Sequence, residues 1–266
     1  MLVLGLLNSL RILITQSWSL IITAILLIPL TACNPSALTS NPDQPSRLVQ
    51  AILSDPKTFN TVIATDATSS SVGGMIFDGL IDENPNTGEI EPALAESWTI
   101  SEDKLKFTFT LRKNLKWSDG QPITADDVDF TYNQLYFNPD IPSSSRDGFK
   151  IGESKSLPQV RKLNNLQIEF TLPEPFAPFL GITGASILPA HILKPTVEQK
   201  DQEGKLKFLS TWALDAPLDK IVANSAYKIK SYATAERVVF EANPFYWKKQ
   251  VAVSYTHLTL PTICSV

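Results

Sequence analysis

Histidine and cysteine are the scarcest reactive residues here: the 266-residue sequence holds two of each, His191, His257, Cys33 and Cys264. The two cysteines stand at opposite ends, with none between them. Unless those two pair, no internal disulfide framework is possible, and a clustered Cys-type zinc site is excluded. A Ser-His-Asp arrangement needs a histidine, and the body of the chain offers only His191, set between apolar residues in "LPAHIL". A lone histidine there reads as a packed or capping residue. No Gly-Lys-Ser/Thr follows the glycines of "SVGGM", so there is no phosphate loop of the Walker type. Positive charge is not in excess: the formal net charge is −4, which leaves no electrostatic footprint for nucleic acid. Catalysis, a bound cofactor and nucleic-acid binding are all disfavoured by inventory alone.

What is present is an ordinary globular composition, 43% hydrophobic and 19% charged. The front is different. Residues 1–42 carry a single charged side chain, Arg11, followed by the apolar run "ILITQSWSLIITAILLIPL". A charged start, an apolar middle and small residues at the end describe a secretory signal over residues 1–32. It closes on "LTAC", Leu30 to Cys33, which looks like a bacterial lipobox and marks Cys33 for lipidation. Lipid chains contribute about 0.8 kcal/mol per buried CH₂, so several together anchor a protein stably to a membrane. Residues 33–46 are rich in Pro, Ser and Asn with no hydrophobic period, and read as a tether.

The body mixes strands and helices, which argues an α/β architecture. "RLVQAIL" suits a buried strand, and "SDPKTFN" a turn. Val72, Ile76 and Leu80 recur every four residues, predicting a helix behind Asp and Ser caps. Gly88 serves a turn between extended pieces. "KLKFTFTLR" and "LQIEFTL" alternate as half-buried strands, and "YKIKSY" with "RVVFEA" forms a hairpin around "ATAE". Residues 138–160 read as a long loop.

Four aspartates crowd residues 119–129 of "WSDGQPITADDVDF". A calcium loop needs alternating acids and a glycine, and here Asp126 and Asp127 are adjacent inside a helical period. Neighbours on a helix diverge by about 100°, which separates them for paired-carboxylate catalysis as well. The better reading is structural. Thr124 is the N-cap of a helix over residues 125–137, Asp127 closes a capping box, and Asp126 and Asp127 favour the positive end of the dipole. Val128, Thr131, Tyr132 and Leu135 form its buried stripe.

The run "PALAESWTISEDKLKFTFTLRKNLKWSDGQPITADDVDFTYNQL", residues 92–135, closely resembles the family 5 extracytoplasmic solute-binding proteins. These are the oligopeptide-, dipeptide- and nickel-binding components of bacterial ABC importers. "SDPKTFNTVIATDATSSSVGGMIFDGL" and "NSAYKIKSYATAERVVFEANPFYW" agree with it, although the family usually has Gly-Pro-Tyr where this chain has Ser225-Ala226-Tyr227. The resemblance implies a type II periplasmic-binding-protein fold with an extra domain, of which only the N-terminal portion is present. It implies that residues 47–77 plus 187–250 form part of lobe I and residues 78–186 the additional domain. It also implies that a second ligand-binding lobe lies beyond the residues given. From about Val251 the tail "SYTHLTLPTICSV" matches nothing in the family and is similar to a translated adapter, so residues 251–266 are expected to be non-native.

Function follows the same route. The resemblance implies a monomeric, lipid-anchored receptor on the outer face of the bacterial plasma membrane, handing oligopeptides to ABC permease subunits, with no enzymatic activity and no cofactor. Nickel or another small solute is the alternative cargo, and the single reliable histidine speaks against nickel. A secreted lipoprotein enzyme and a peptide sensor without transport are the readings from other classes. By resemblance, Thr65, Asp66, Ala67 and Thr68 line the cleft, with Asp66 either meeting a ligand amine or capping the next helix. Ser144, Ser145 and Arg146 approach the same cleft, where they would contact a carboxylate or a backbone. No residue is expected to bind metal.

Overall fold

The computed structural model describes residues 47–52, 54–248 and 255–259, the segments 47–51 and 255–259 through their backbone. The signal segment, Cys33 and the tether lie outside the described residues, as do Cys264 and most of the tail. Among the described residues, no helix is long and apolar enough to cross a membrane.

In chain order the elements are β1 (Arg47–Ala51), α1 (Ala67–Ile76), β2 (Ile81–Glu83), β3 (Ile90–Pro92), β4 (Ala95–Ile100), β5 (Lys106–Leu111), α2 (Ala125–Phe130), β6 (Gln159–Asn164), β7 (Gln167–Thr171), α3 (Ala190–Glu198), β8 (Tyr227–Ala233), β9 (Arg237–Ala242) and β10 (Tyr255–Thr259). Single helical turns occur at Ser145–Gly148 and Phe179–Ile182. The strands make two four-stranded sheets. One has the order β1-β10-β9-β8 and the other β4-β5-β7-β6, with β2 and β3 as a separate pair.

The first sheet is mixed. β10 runs parallel to β1 and antiparallel to β9, from Arg47 opposite Tyr255 to Thr259 opposite Arg237. The segment that reads as foreign to the family thus supplies the backbone of a strand inside this sheet. In β9, Val238, Val239 and Phe240 are all buried, while Arg237 and Glu241 at its two ends keep exposure. Three consecutive buried residues mark a strand covered on both faces at its centre.

The second sheet is antiparallel throughout. Phe107, Phe109 and Leu111 of β5 are buried, and Ile168 and Phe170 of β7 stand opposite them on the same face. α2 and the helical residues Thr131–Tyr136 that continue it cover that face: Tyr132 meets Phe170 edge-on with ring centroids 4.8 Å apart, a favoured aromatic geometry.

Three sequence expectations need correction. The helix begun at Ala125 turns into a π-helix over Thr131–Tyr136 instead of running on as α-helix to 137. Thr131 sits at the change. Its hydroxyl donates to the Asp127 carbonyl at 2.7 Å and accepts from Leu188 N–H at 3.0 Å, competing with regular backbone pairing. α1 ends at Ile76, so Leu80 is not its fourth-residue partner. Leu80 is buried because its N–H and carbonyl pair with residues 183, 93 and 95. Residues 138–160 are not one loop: they contain the turn Ser145–Gly148, a bridge from Ile151 to Ser156 and the start of β6. α3 arises from "AHILKPTVE" despite Pro195 inside it.

Where residues 77 and 187 lie, three segments cross. Leu80 N–H donates to Thr183 O at 3.1 Å and Ile187 N–H to Asp78 O at 3.0 Å. Asn224, buried, bridges them: its Oδ1 accepts from Asp78 N–H at 2.7 Å, and its Nδ2 donates to Asp78 O and Ile187 O. At Gly79 the chains touch so closely that a Cβ would lie 2.3 Å from the Gly184 carbonyl oxygen.

Candidate functional site

The acidic stretch that first suggests chemistry is a framework. Thr124 Oγ1 accepts from Asp126 N–H at 3.2 Å, and the capping box with Asp127 is complete. Asp127 Oδ2 accepts from Thr124 N–H at 2.9 Å, and its Oδ1 from Ala190 N–H at 3.0 Å. Burial pushes its carboxyl above the ordinary range, while those two N–H groups pull the other way. Asp126 pairs with Lys162 at 2.7 Å on the surface. Asp119 holds its own turn through Gln121 N–H at 3.0 Å and meets His191 Nε2 at 2.8 Å. His191, expected as a packed or capping residue, is thus a half-exposed partner of Asp119.

The loop before α1 is more open. Asp66 is the N-cap of α1, with Oδ1 accepting from Ser69 N–H at 2.8 Å. Its Oδ2 is enclosed and takes no hydrogen bond. The capping role expected for Asp66 is the one this geometry displays. Thr65 and Ala67 are exposed, and Thr68 is buried with its hydroxyl 3.1 Å from that of Ser54. Ser69 Oγ ties the incoming loop down by accepting from Lys57 N–H at 2.8 Å and Thr58 N–H at 3.2 Å.

The second set is arranged differently. Arg146 aims its guanidinium at its own loop: Nε donates to Tyr136 O at 3.0 Å, and Nη2 contacts the carbonyls of Asn138 and Ile141. An arginine satisfied by three carbonyls shapes the loop first. Ser144 is exposed and Ser145 partly so. Among the described residues, no hydrogen bond or ion pair joins the turn 65–68 to the turn 144–146.

Sequence reasoning passed over two polar groups in the interior. Asn60 donates to Phe208 O at 3.2 Å and fixes the loop ahead of the turn. Asn224 holds the crossing. Both act across more than a hundred residues, which no local pattern announces.

With this geometry in place, the class is defined. Residues 89–260 match the family model described as bacterial extracellular solute-binding proteins, family 5 Middle, and the chain belongs to that family. The fold is that of the type II periplasmic binding proteins, covered in part. The ABC transporter-associated periplasmic binding protein DppA of Helicobacter pylori, solved in complex with the peptide STSA, superposes with a TM-score of 0.65 at 26% identity, over 81% of this chain and 43% of that one.

Individual relatives are similarly distant. The chain is 30% identical to a probable ABC transporter-binding protein of Deinococcus radiodurans over 205 residues, which is 75% of this chain and 33% of that protein. It is 30% identical over 205 residues to the periplasmic oligopeptide-binding protein OppA of Salmonella typhimurium, covering 72% of this chain and 35% of the relative. The chain thus spans about a third of the length of these relatives.

Proposed function

We propose that the protein is the receptor of an ABC importer, holding oligopeptides outside the cytoplasm and presenting them to permease subunits. What carries the reading is the family match over residues 89–260 together with a relative named for oligopeptide binding. The chemistry of the loop before α1 supports it. Asp66 stands at this loop with Oδ2 buried and without a hydrogen-bond donor, so opening of the loop would present that oxygen to a peptide's terminal ammonium. In this reading Thr65, Ala67 and Thr68 supply hydroxyl and backbone contacts, and Ser144 and Ser145 contact the peptide backbone. Arg146 holds the loop that carries them, with any carboxylate contact secondary.

Peptide receptors of this kind act by hinge closure around the ligand, with water filling variable side-chain space. Residues 47–77 and 187–250 would form one wall of the cleft, and residues 78–186 the additional domain. The distribution of the sheets supports this division, since β4 to β7 all lie within 95–171. Lipidation at Cys33 would keep the receptor, a monomer, at the membrane surface, and the role requires no catalytic group.

The direct test is to express the reading frame extended to the length of its relatives, purify it natively and release its contents by denaturation. Mass spectrometry should find a mixture of short peptides. A single non-peptide solute recovered in stoichiometric amount would replace the oligopeptide assignment.

A further inference from the structure

The hairpin between β4 and β5 forms one wall of a cavity of about 660 Å³. Ile100, at the end of β4, and Phe107, on β5, line it from that side. Pro175, Phe176 and Leu180, on the segment after β7, line it from the other. The two walls are tied together. Leu172 N–H donates to Leu105 O at 2.8 Å, and the rings of Phe107 and Phe179 pack with centroids 4.8 Å apart. Ile100 keeps 47% of its surface exposed and is one of three exposed large apolar side chains among the described residues. Neither the turn 65–68 nor the turn 144–146 contributes to the cavity.

Charge of both signs stands at the rim. Glu102 and Lys104 line the cavity two positions apart in the turn, and both are exposed. Among the described residues, neither side chain has an ion-pair or hydrogen-bond partner. The acid between them is already used: Asp103 Oδ1 accepts from Ser101 Oγ and from Leu105 N–H at 3.0 Å. Ser101 Oγ accepts in turn from Lys106 N–H at 2.9 Å, which stiffens the turn. Lys104 closes it, with N–H donating to Ser101 O at 2.9 Å and φ at 58°. That left-handed conformation favours glycine, so the turn by itself gives no reason for a lysine.

We propose that this cavity binds a free apolar amino acid. Its side chain would lie among Ile100, Phe107 and Phe176, its carboxylate against Lys104 and its ammonium against Glu102. The size fits, since small-molecule sites run from about 300 to 1,000 Å³ and combine a mostly apolar lining with a few polar groups. Charge complementarity selects the class. An apolar anion would meet Lys104 but be repelled by Glu102, and an apolar cation would meet the reverse. A zwitterion with an apolar side chain satisfies both charges and the lining at once. Exposed charges select more than they bind, so burial of the side chain supplies most of the affinity.

Amide-resolved NMR on the 266-residue chain, with L-phenylalanine as the probe, tests this. Saturable shifts should be confined to residues 100–107 and 175–180. N-acetyl-L-phenylalanine amide keeps the side chain and lacks both charges, so it should bind about tenfold more weakly. Glu102→Gln and Lys104→Gln change exposed side chains, leave the fold intact and should each weaken L-phenylalanine about threefold. Absence of saturable shifts in these residues up to the solubility limit of the amino acid would overturn the site. Shifts centred on the turn 65–68 would overturn it as well, by placing the amino acid elsewhere. A neutral analogue that binds as tightly as L-phenylalanine, or unchanged affinity in both variants, would overturn the zwitterion assignment. The peptide-receptor reading stands apart from every one of these outcomes, because the cavity and its test lie outside the turn before α1.

Discussion

The carboxylate of Asp127 accepts a hydrogen bond from Ala190 N–H at 3.0 Å, sixty-three positions further along the chain. The same side chain accepts from Thr124 N–H at 2.9 Å. One aspartate therefore serves the N-termini of both α2 and α3. Losing a cap costs about 1 kcal/mol, and each buried donor left unpaired costs about 1–3 kcal/mol. Asp127→Ala should therefore destabilise the fold by about 3 kcal/mol, read as a lowered urea midpoint. Asp127→Asn keeps one oxygen and should lose about half as much. Equal losses for both variants would mean that only one of the two bonds matters.

Much of this framework was legible in the sequence, because it is local. Thr124 and Asp127 are three residues apart, and a capping box is a three-residue signal. β5 and β7 were legible because alternate residues are apolar, and the β8–β9 hairpin because two such runs flank "ATAE". Asp127's second bond was not legible, since it depends on where residue 190 arrives. The same holds for the π-helix, set by Leu188 N–H on Thr131, and for Arg146, whose acceptors are carbonyls that carry no sequence mark. At the candidate site the sequence placed Asp66 at a helix start. That its second oxygen is enclosed and unpaired emerges only from packing.

Two glycines should respond to the same substitution with opposite sign. Gly79 faces the Gly184 carbonyl, and an added Cβ would sit 2.3 Å from its oxygen. Gly79→Ala must push the crossing apart and should cost at least about 2 kcal/mol. Gly74 lies within α1 with open space around its Cα. Gly74→Ala should stabilise by about 0.5–1 kcal/mol through helix propensity. Thermal unfolding of both variants side by side checks the contrast.

Arg146 separates loop shaping from ligand contact. Its guanidinium serves the carbonyls of Tyr136, Asn138 and Ile141. Arg146→Ala leaves those acceptors without their charged donor and should lower stability by about 1–3 kcal/mol. Arg146→Lys reaches fewer of them and should fall between. Denaturant titration gives the order. A stable Arg146→Ala with weakened peptide binding would make Arg146 a ligand group instead.

Asp66 divides the same way. Asn caps a helix about as well as Asp, so Asp66→Asn should keep α1 and change the melting temperature little. It removes the charge that the receptor reading places against a peptide ammonium. In the reading frame extended to the length of its relatives, peptide affinity should fall about tenfold, equivalent to about 1.4 kcal/mol. Unchanged affinity in a folded Asp66→Asn protein would leave Asp66 as a cap only.

The central claim is that this chain belongs to a receptor for short peptides. Isothermal calorimetry decides it, on the reading frame extended to the length of its relatives, titrated with mixed-sequence peptides of two to six residues. The account predicts saturable heat for at least part of that range, and little or none for the 266-residue chain alone, which spans about a third of a relative's length. No heat from the extended protein at any peptide length would contradict it.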